Sequence, residues 1–196
     1  MSDPTWLDTL DDKQGELVDK IGAEAKAQGV EPAHAIAMAM AENHLTHTLK
    51  PNERGAVGVM QITPVAAKEL GYTMDQMTDP DLNIKAGIQY YKKMLDQFQD
   101  PMKAHAAYNW GPGNMNKLAS GQLKDLPDET ADYLDRIEQY TSAFDRSKDQ
   151  DVTRMPPARF SSSVAPQAQS KAREQEDSGV NPVQGLFTAG GGQAWG

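Results

Sequence analysis

The sequence predicts a mainly α domain with a small irregular or β lobe, followed by an extended C-terminal tail. Three observations carry that prediction. Apolar residues recur at helical spacing in successive blocks between Lys13 and Phe144; the longest break in that rhythm, His47 to Gly58, holds Pro51, Asn52, Gly55 and Gly58; and after Arg146 no apolar period survives. The boundaries follow as an N-terminal segment 1–12, a folded domain 13–146 and a low-complexity tail 147–196.

Taken in order, Leu17, Val18, Ile21 and Ala25 place a helix over Lys13 to Ala27, and Gly29 stops it. Pro32 opens a second helix. Its Ala35, Ile36, Met38, Ala39 and Met40 make it apolar nearly all round, which implies burial, and Glu42 lies at its far end. The loop lobe follows, with a short strand expected at Ala56 to Ile62. Thr63 caps a helix opened by Pro64 and closed by Gly71. Asp79 and Pro80 open a longer helix whose Leu82, Ile84, Ile88, Tyr91, Met94, Leu95 and Phe98 lie mostly on one face. Short helices near Met102 to Tyr108 and Gly113 to Ala119 lead to a last one from Asp128 to Phe144. In the tail, Pro156, Pro157, Ser161 to Ser163 and Pro166 interrupt a Gln/Ala/Ser-rich stretch. Its end, Val180 to Gly196, regains Val183, Leu186, Phe187 and Trp195, the pattern of either a docking peptide or a disordered terminus.

Composition excludes several functions. The 196 residues include no cysteine, so neither a disulfide framework nor a thiolate metal site is available and the fold stands on packing. Net charge is −9, and because Asp151 to Gly196 balances four basic against four acidic residues, the whole excess lies before Asp151. An acidic surface repels nucleic acid and anionic lipid alike. The longest apolar run, Ala35 to Ala41, is far short of the roughly 20 residues a membrane span needs. Asp3, Asp8, Asp11 and Asp12 with no basic residue before Lys13 are the reverse of a signal peptide's start, so synthesis in the cytoplasm without a Sec-type signal is expected.

Glu42 is the first candidate for chemistry. A carboxyl at the end of an apolar helix, beside a loop lobe, sits where burial raises its pKa and holds a proton at neutral pH, as a general acid for glycosidic cleavage requires. An ordinary solvated glutamate occupies the same kind of position in most proteins. A zinc site with His44 and His47 is disfavoured, because a zincin helix needs two histidines four apart with the glutamate directly after the first. Gly55 to Ile62 joins glycines, which permit close backbone approach, to the amide of Gln61, and suits either a saccharide groove or a tight strand. Tyr108 could hydrogen-bond a buried carboxyl, while Gly111-Pro112-Gly113 would break a helix.

These segments resemble, in order and spacing, the lytic transglycosylase catalytic domain of the soluble-transglycosylase, goose-type lysozyme-like family. Glu42-Asn43 is similar to its Glu-Ser motif, Gly55 to Gln61 to its Gly-Ala-x-Gly-Leu-Met-Gln segment, and Asn83 to Gly87 to its Asn-Ile-x-x-Gly helix. Ala107 to Gly113 resembles its Ala-Tyr-Asn-x-Gly-Pro-Gly signature and Glu129 to Tyr133 its Glu-Thr-x-x-Tyr motif. Asn43 departs from the family's usual serine, and Thr63 stands where methionine is common. The resemblance covers roughly Gly22 to Phe144. It implies that Glu42 is the single catalytic carboxyl, that Gln61, Tyr108, Asn109 and Glu129 line a glycan groove, and that Tyr108 or Tyr133 orients the acid. Tyr133 also reads as a core aromatic.

The reaction so implied cleaves the β-1,4 bond between N-acetylmuramic acid and N-acetylglucosamine in peptidoglycan. Glu42 protonates the bridging oxygen, then takes the proton of the muramoyl C6 hydroxyl as that oxygen closes on C1, leaving a 1,6-anhydro end without metal or cofactor. A lysozyme-type hydrolase would want a second carboxylate to activate water, for which Glu53 and Asp79 are available. An inactive structural virion protein with the same fold is the reading from another class. A wall-degrading enzyme lacking an export signal fits a phage virion component that opens the host wall, in the periplasm, as the genome enters. The tail would then dock on other virion proteins.

Overall fold

The computed structural model describes residues 6–150. Seven α-helices run α1 Asp12–Ala27, α2 Pro32–Asn43, α3 Pro64–Glu69, α4 Pro80–Phe98, α5 Pro101–Trp110, α6 Pro112–Ala119 and α7 Asp128–Gln150, with 3-10 turns at Trp6–Thr9 and Gln76–Thr78. Local chemistry sets the starts. Five of these helices open on proline, at α2 to α6, where a missing N–H costs nothing. The side chains of Asp11, Thr63, Asp79 and Asp100 accept from the free N–H groups of the first turns of α1, α3, α4 and α5, and Gln14 completes a capping box at Asp11.

Helix α2 is the central element. Ala33, Ala35, Ile36, Ala37, Met38 and Ala39 are all buried, and the helix packs against α1 and α7. Helix α4 supplies Ile84, Ile88, Tyr91 and Met94 to the same core and packs on α5 and α1. The end of α2 is abrupt: His44 and Leu45 both take left-handed backbone angles, φ 48° and 52°, and Leu45 turns back into the core. Glu42 is thereby held two residues before a reversal, at the boundary between core and lobe.

Two expectations need correction. No strand forms over Ala56 to Ile62; positive φ at Gly58 and Gln61 folds the segment on itself, and a single antiparallel bridge joins Val57 to Ile62. The lobe is therefore irregular. Helix α7 runs past Phe144 to Gln150, so 147–150 continue it rather than starting the tail. Part of the N-terminal segment packs on the domain: the Trp6 ring meets Tyr140 edge-on at 5.5 Å, and its Nε1–H donates to the Tyr140 carbonyl. The remaining tail and its docking pattern lie outside the described residues. Among the described residues no helix is long and apolar enough to cross a membrane.

Candidate active site

The lobe is irregular but firmly held from beneath. Asn83 of α4, fully buried, accepts from the Met60 N–H (2.9 Å) and donates to the carbonyls of Val57 (3.0 Å) and Met77 (3.1 Å). The close approach needs glycine on both sides. A Cβ on Gly58 would lie 2.1 Å from Asn83 Nδ2, and one on Gly87 would lie 2.5 Å from Met60 Cβ. Gly58 is thus required by Asn83. Tyr108 of α5 adds a further tie, its hydroxyl donating to the Met60 carbonyl at 2.7 Å. His47 accepts from the Val59 N–H at Nδ1 (3.3 Å) and meets the Thr78 carbonyl through Nε2 (3.0 Å), which commits both ring nitrogens to holding loops. Asn43, at the departure from the family's serine, closes the turn after α2 by donating to the Thr46 carbonyl (2.6 Å) and Thr48 Oγ1 (3.0 Å).

Between this lobe and α7 lies a cleft of about 450 Å³ lined by Glu42, Asn52, Glu53, Arg54, Gln61, Asn109, Glu129, Tyr133 and Arg136. Glu42 is partly buried on its inner wall. Burial pushes its pKa from 4.5 up to about 7, against the opposing pull of the Tyr133 hydroxyl and the charges of Arg136 and Arg54; Glu129 adds a smaller upward push. The group is a proton donor with roughly even occupancy at neutral pH, which suits acid and base duty in turn. The buried Tyr133 hydroxyl has no partner at full hydrogen-bonding geometry, yet it is near enough to favour the Glu42 carboxylate, and its own pKa is driven well up by burial and by Glu42.

The remaining predicted residues divide. Gln61, Asn109, Glu129 and Tyr133 share the cleft with Glu42, whereas Tyr108 does not line it and spends its hydroxyl on Met60. Gln61 takes φ 47° and both ends of its amide are engaged, Nε2 on the Gly58 carbonyl (2.8 Å) and Oε1 on Asn52 Nδ2 (3.1 Å). Asn109 Oδ1 accepts from buried Thr130 Oγ1 at 3.0 Å, which turns Nδ2 toward the opening. Glu129, exposed, pairs across the mouth with Arg54 at 3.4 Å, and Arg54 Nη1 also reaches the Asn109 carbonyl. Asp79 is engaged at the start of α4, accepting from the Leu82 N–H, and is not in the cleft; Glu53 is. Sequence reading passed over Asn52, Arg54 and Arg136. The available signals were slight: Asn52 and Arg54 lie just before the Gly55-Ala56 pair, and Arg136 follows Tyr133 by one helical turn.

A helical domain with one raised carboxyl opening on a cleft is a lysozyme-like arrangement. The chain belongs to the Transglycosylase SLT domain family, which matches residues 19–128. It is similar to membrane-bound lytic murein transglycosylase F of Vibrio cholerae, 31% identical over 113 residues that make up 53% of this chain and 21% of that one. The transglycosylase of Enterobacteria phage PRD1 is 39% identical over 62 residues, 32% of this chain and 23% of the phage protein. The chain thus spans about a fifth of the length of these curated relatives. Among solved structures, the fold is shared with lytic transglycosylase Slt from Pseudomonas aeruginosa (TM-score 0.58, 23% identity, 67% of this chain and 24% of that one). It is shared equally with the 70 kDa soluble lytic transglycosylase of Escherichia coli (TM-score 0.57, 24% identity, 66% and 24%).

Proposed function

We propose that this protein is a peptidoglycan lytic transglycosylase in which Glu42 serves first as acid and then as base. The observation that carries the reading is a carboxyl raised to about 7 on the wall of an open cleft, within a domain of the transglycosylase family. Protonation of the bridging oxygen by Glu42 breaks its bond to the muramoyl C1. The Glu42 carboxylate so formed takes the proton from the C6 hydroxyl, whose oxygen bonds to C1, and the carboxyl is restored as the 1,6-anhydro ring closes. Asn109, Gln61 and Glu129 hold the glycan along the cleft, and Tyr133 orients the acid.

Digestion of purified peptidoglycan by the wild type and by Glu42→Gln, with mass spectrometry of the muropeptides, tests this. Anhydro ends from the wild type alone are expected. Reducing muramic acid ends would instead favour hydrolysis, a second reading supported by Glu53 in the same cleft as a carboxylate able to activate water. No cleavage by either protein would leave a structural role. The setting we infer is a phage particle that opens the host wall as its genome enters, supported by the likeness to the PRD1 transglycosylase. The tail, 151–196, would dock the enzyme in the particle; a protein lacking it that is still packaged at normal copy number would end that idea.

A further inference from the structure

We infer that Arg136 takes a carboxylate of the muramoyl units, from the lactyl group or its attached stem peptide, and so separates murein from neutral N-acetylglucosamine chains. This rests on the transglycosylase reading and adds the chemistry by which the substrate is told apart. Two guanidinium groups line the cleft, and they are differently placed. Arg54 is occupied at the mouth by Glu129 and the Asn109 carbonyl. Arg136 makes no ion pair or hydrogen bond with any described side chain or backbone group; it lies over the Tyr133 ring, 5.9 Å from its centre, on the same wall as Glu42. The cation lies over the face of a buried ring, and its N–H groups have no partner among the described residues.

A free cation beside an acid that needs its proton works against the acid. Arg136 does so here, since its charge favours the Glu42 carboxylate. The conflict eases when an anion binds. A muramoyl carboxylate on Arg136 neutralises that charge, strengthens the hold of Glu42 on its proton and so couples recognition of the anionic sugar to readiness of the acid. An N-acetylglucosamine polymer carries no carboxylate and leaves the conflict in place.

The test uses the full chain carrying Glu42→Gln, which binds without turnover, alone and combined with Arg136→Gln or Arg136→Lys. Calorimetry would compare three probes: peptide-bearing glycan strands, strands stripped by an amidase so that the lactyl carboxylate is free, and a chitooligosaccharide. Arg136→Gln is expected to weaken carboxylate-bearing strands about tenfold, the worth of one charge-assisted hydrogen bond, and to leave the chitooligosaccharide unchanged. Arg136→Lys should recover part of the loss. A loss confined to stripped strands assigns the lactyl group, and one confined to peptide-bearing strands assigns the stem. Equal loss on all three probes, or none, overturns the inference. Digestion of murein by the wild type separates the two levels: cleavage with unaltered binding by the Arg136 variants sinks this inference alone, and absence of both cleavage and binding sinks it together with the transglycosylase reading.

Discussion

The two ends of α2 carry the same physical problem and resolve it in opposite ways. Near its start His34 Nδ1 lies 3.1 Å from His105 Nε2 of α5, both rings near Tyr91, with His105 fully buried and its Nδ1 without a partner among the described residues. Near its end sits Glu42. Burial is the leading cause of the shift at both ends and favours the neutral form in each, so the histidines give up their protons and the glutamate keeps its own. What separates them is access. Glu42 lines an open cleft, whereas His105 is fully buried and the half-buried His34 turns its Nδ1 inward onto it. Desolvation creates a reactive group only where a path to the substrate accompanies it.

The sharpest way to break that comparison is Glu42→Gln. On the role proposed for it above, its loss should lower peptidoglycan cleavage by about 10²- to 10⁴-fold, read from muropeptide release. Stability should move the other way. The folded pKa of Glu42 lies above its unfolded value, so its contribution is intact below about 4.5 and is lost as pH rises to about 7. Above pH 7 the ionisable carboxyl costs about 3 kcal/mol relative to a neutral one. Urea titrations should find the glutamine variant more stable than wild type at pH 8 and equal to it near pH 4. A variant less stable at pH 8 would mean that Glu42 is held by contacts favouring its charged form.

The histidine end predicts the reverse slope. His34 and His105 both have pKa values lowered in the fold, so the unfolded chain binds more protons once pH falls below the ordinary value of 6.5. Stability present above that pH is lost as pH falls, at up to about 1.4 kcal/mol per pH unit for each group that remains neutral in the fold. His105→Phe, which keeps a ring against Tyr91 and removes the partnerless nitrogen, should flatten that slope while leaving cleavage at neutral pH near wild type. An unchanged slope between pH 6.5 and 5 would show that the pair is not the element that titrates.

Tyr133→Phe gives a smaller effect and tests how the cleft tunes its acid. The hydroxyl favours the Glu42 carboxylate, so its removal should raise the pKa of Glu42 further and shift the alkaline limb of kcat/KM to higher pH. Because the hydroxyl has no partner at full geometry, stability should change by less than about 1 kcal/mol. An unmoved limb would assign Tyr133 to the core alone, and a shift to lower pH would mean that its hydroxyl favours the protonated acid.

Much of this was legible in the chain. Proline at the first helical turn and Asp or Thr before it act locally, so the starts at Pro32, Pro64 and Pro80 were readable, and the apolar girth of α2 announced the burial that raises Glu42. Long-range contacts were not readable. Gly58 was left between a groove and a tight strand because its neighbour Asn83 is 25 positions away, and only the folded chain brings that amide against it. Tyr108 was assigned to the cleft for the same reason, since its bond to Met60 crosses 48 positions. His105, flanked by Ala104, Ala106 and Ala107, carried a sign of burial in its alanine-rich surroundings, but its partner His34 lay 71 positions upstream.

The least disruptive change, Thr130→Val, asks whether an amide facing the cleft is set by a group behind it. Thr130 is 2% exposed and donates to Asn109 Oδ1, which engages the carbonyl end of the amide and leaves the NH₂ end for the glycan contact proposed above. Valine keeps the shape and removes the donor. Loss of one hydrogen bond should cost about 1 kcal/mol of stability or less, and an amide freed to rotate should raise KM about threefold with kcat nearly unchanged, because ground and transition states lose the contact equally. Thr130→Ser should restore the wild-type KM. A fall in kcat matching that in kcat/KM would instead put the Asn109 amide on an atom that gains charge in the transition state, and the cleft would then hold a second group working beside Glu42 rather than a binding contact alone.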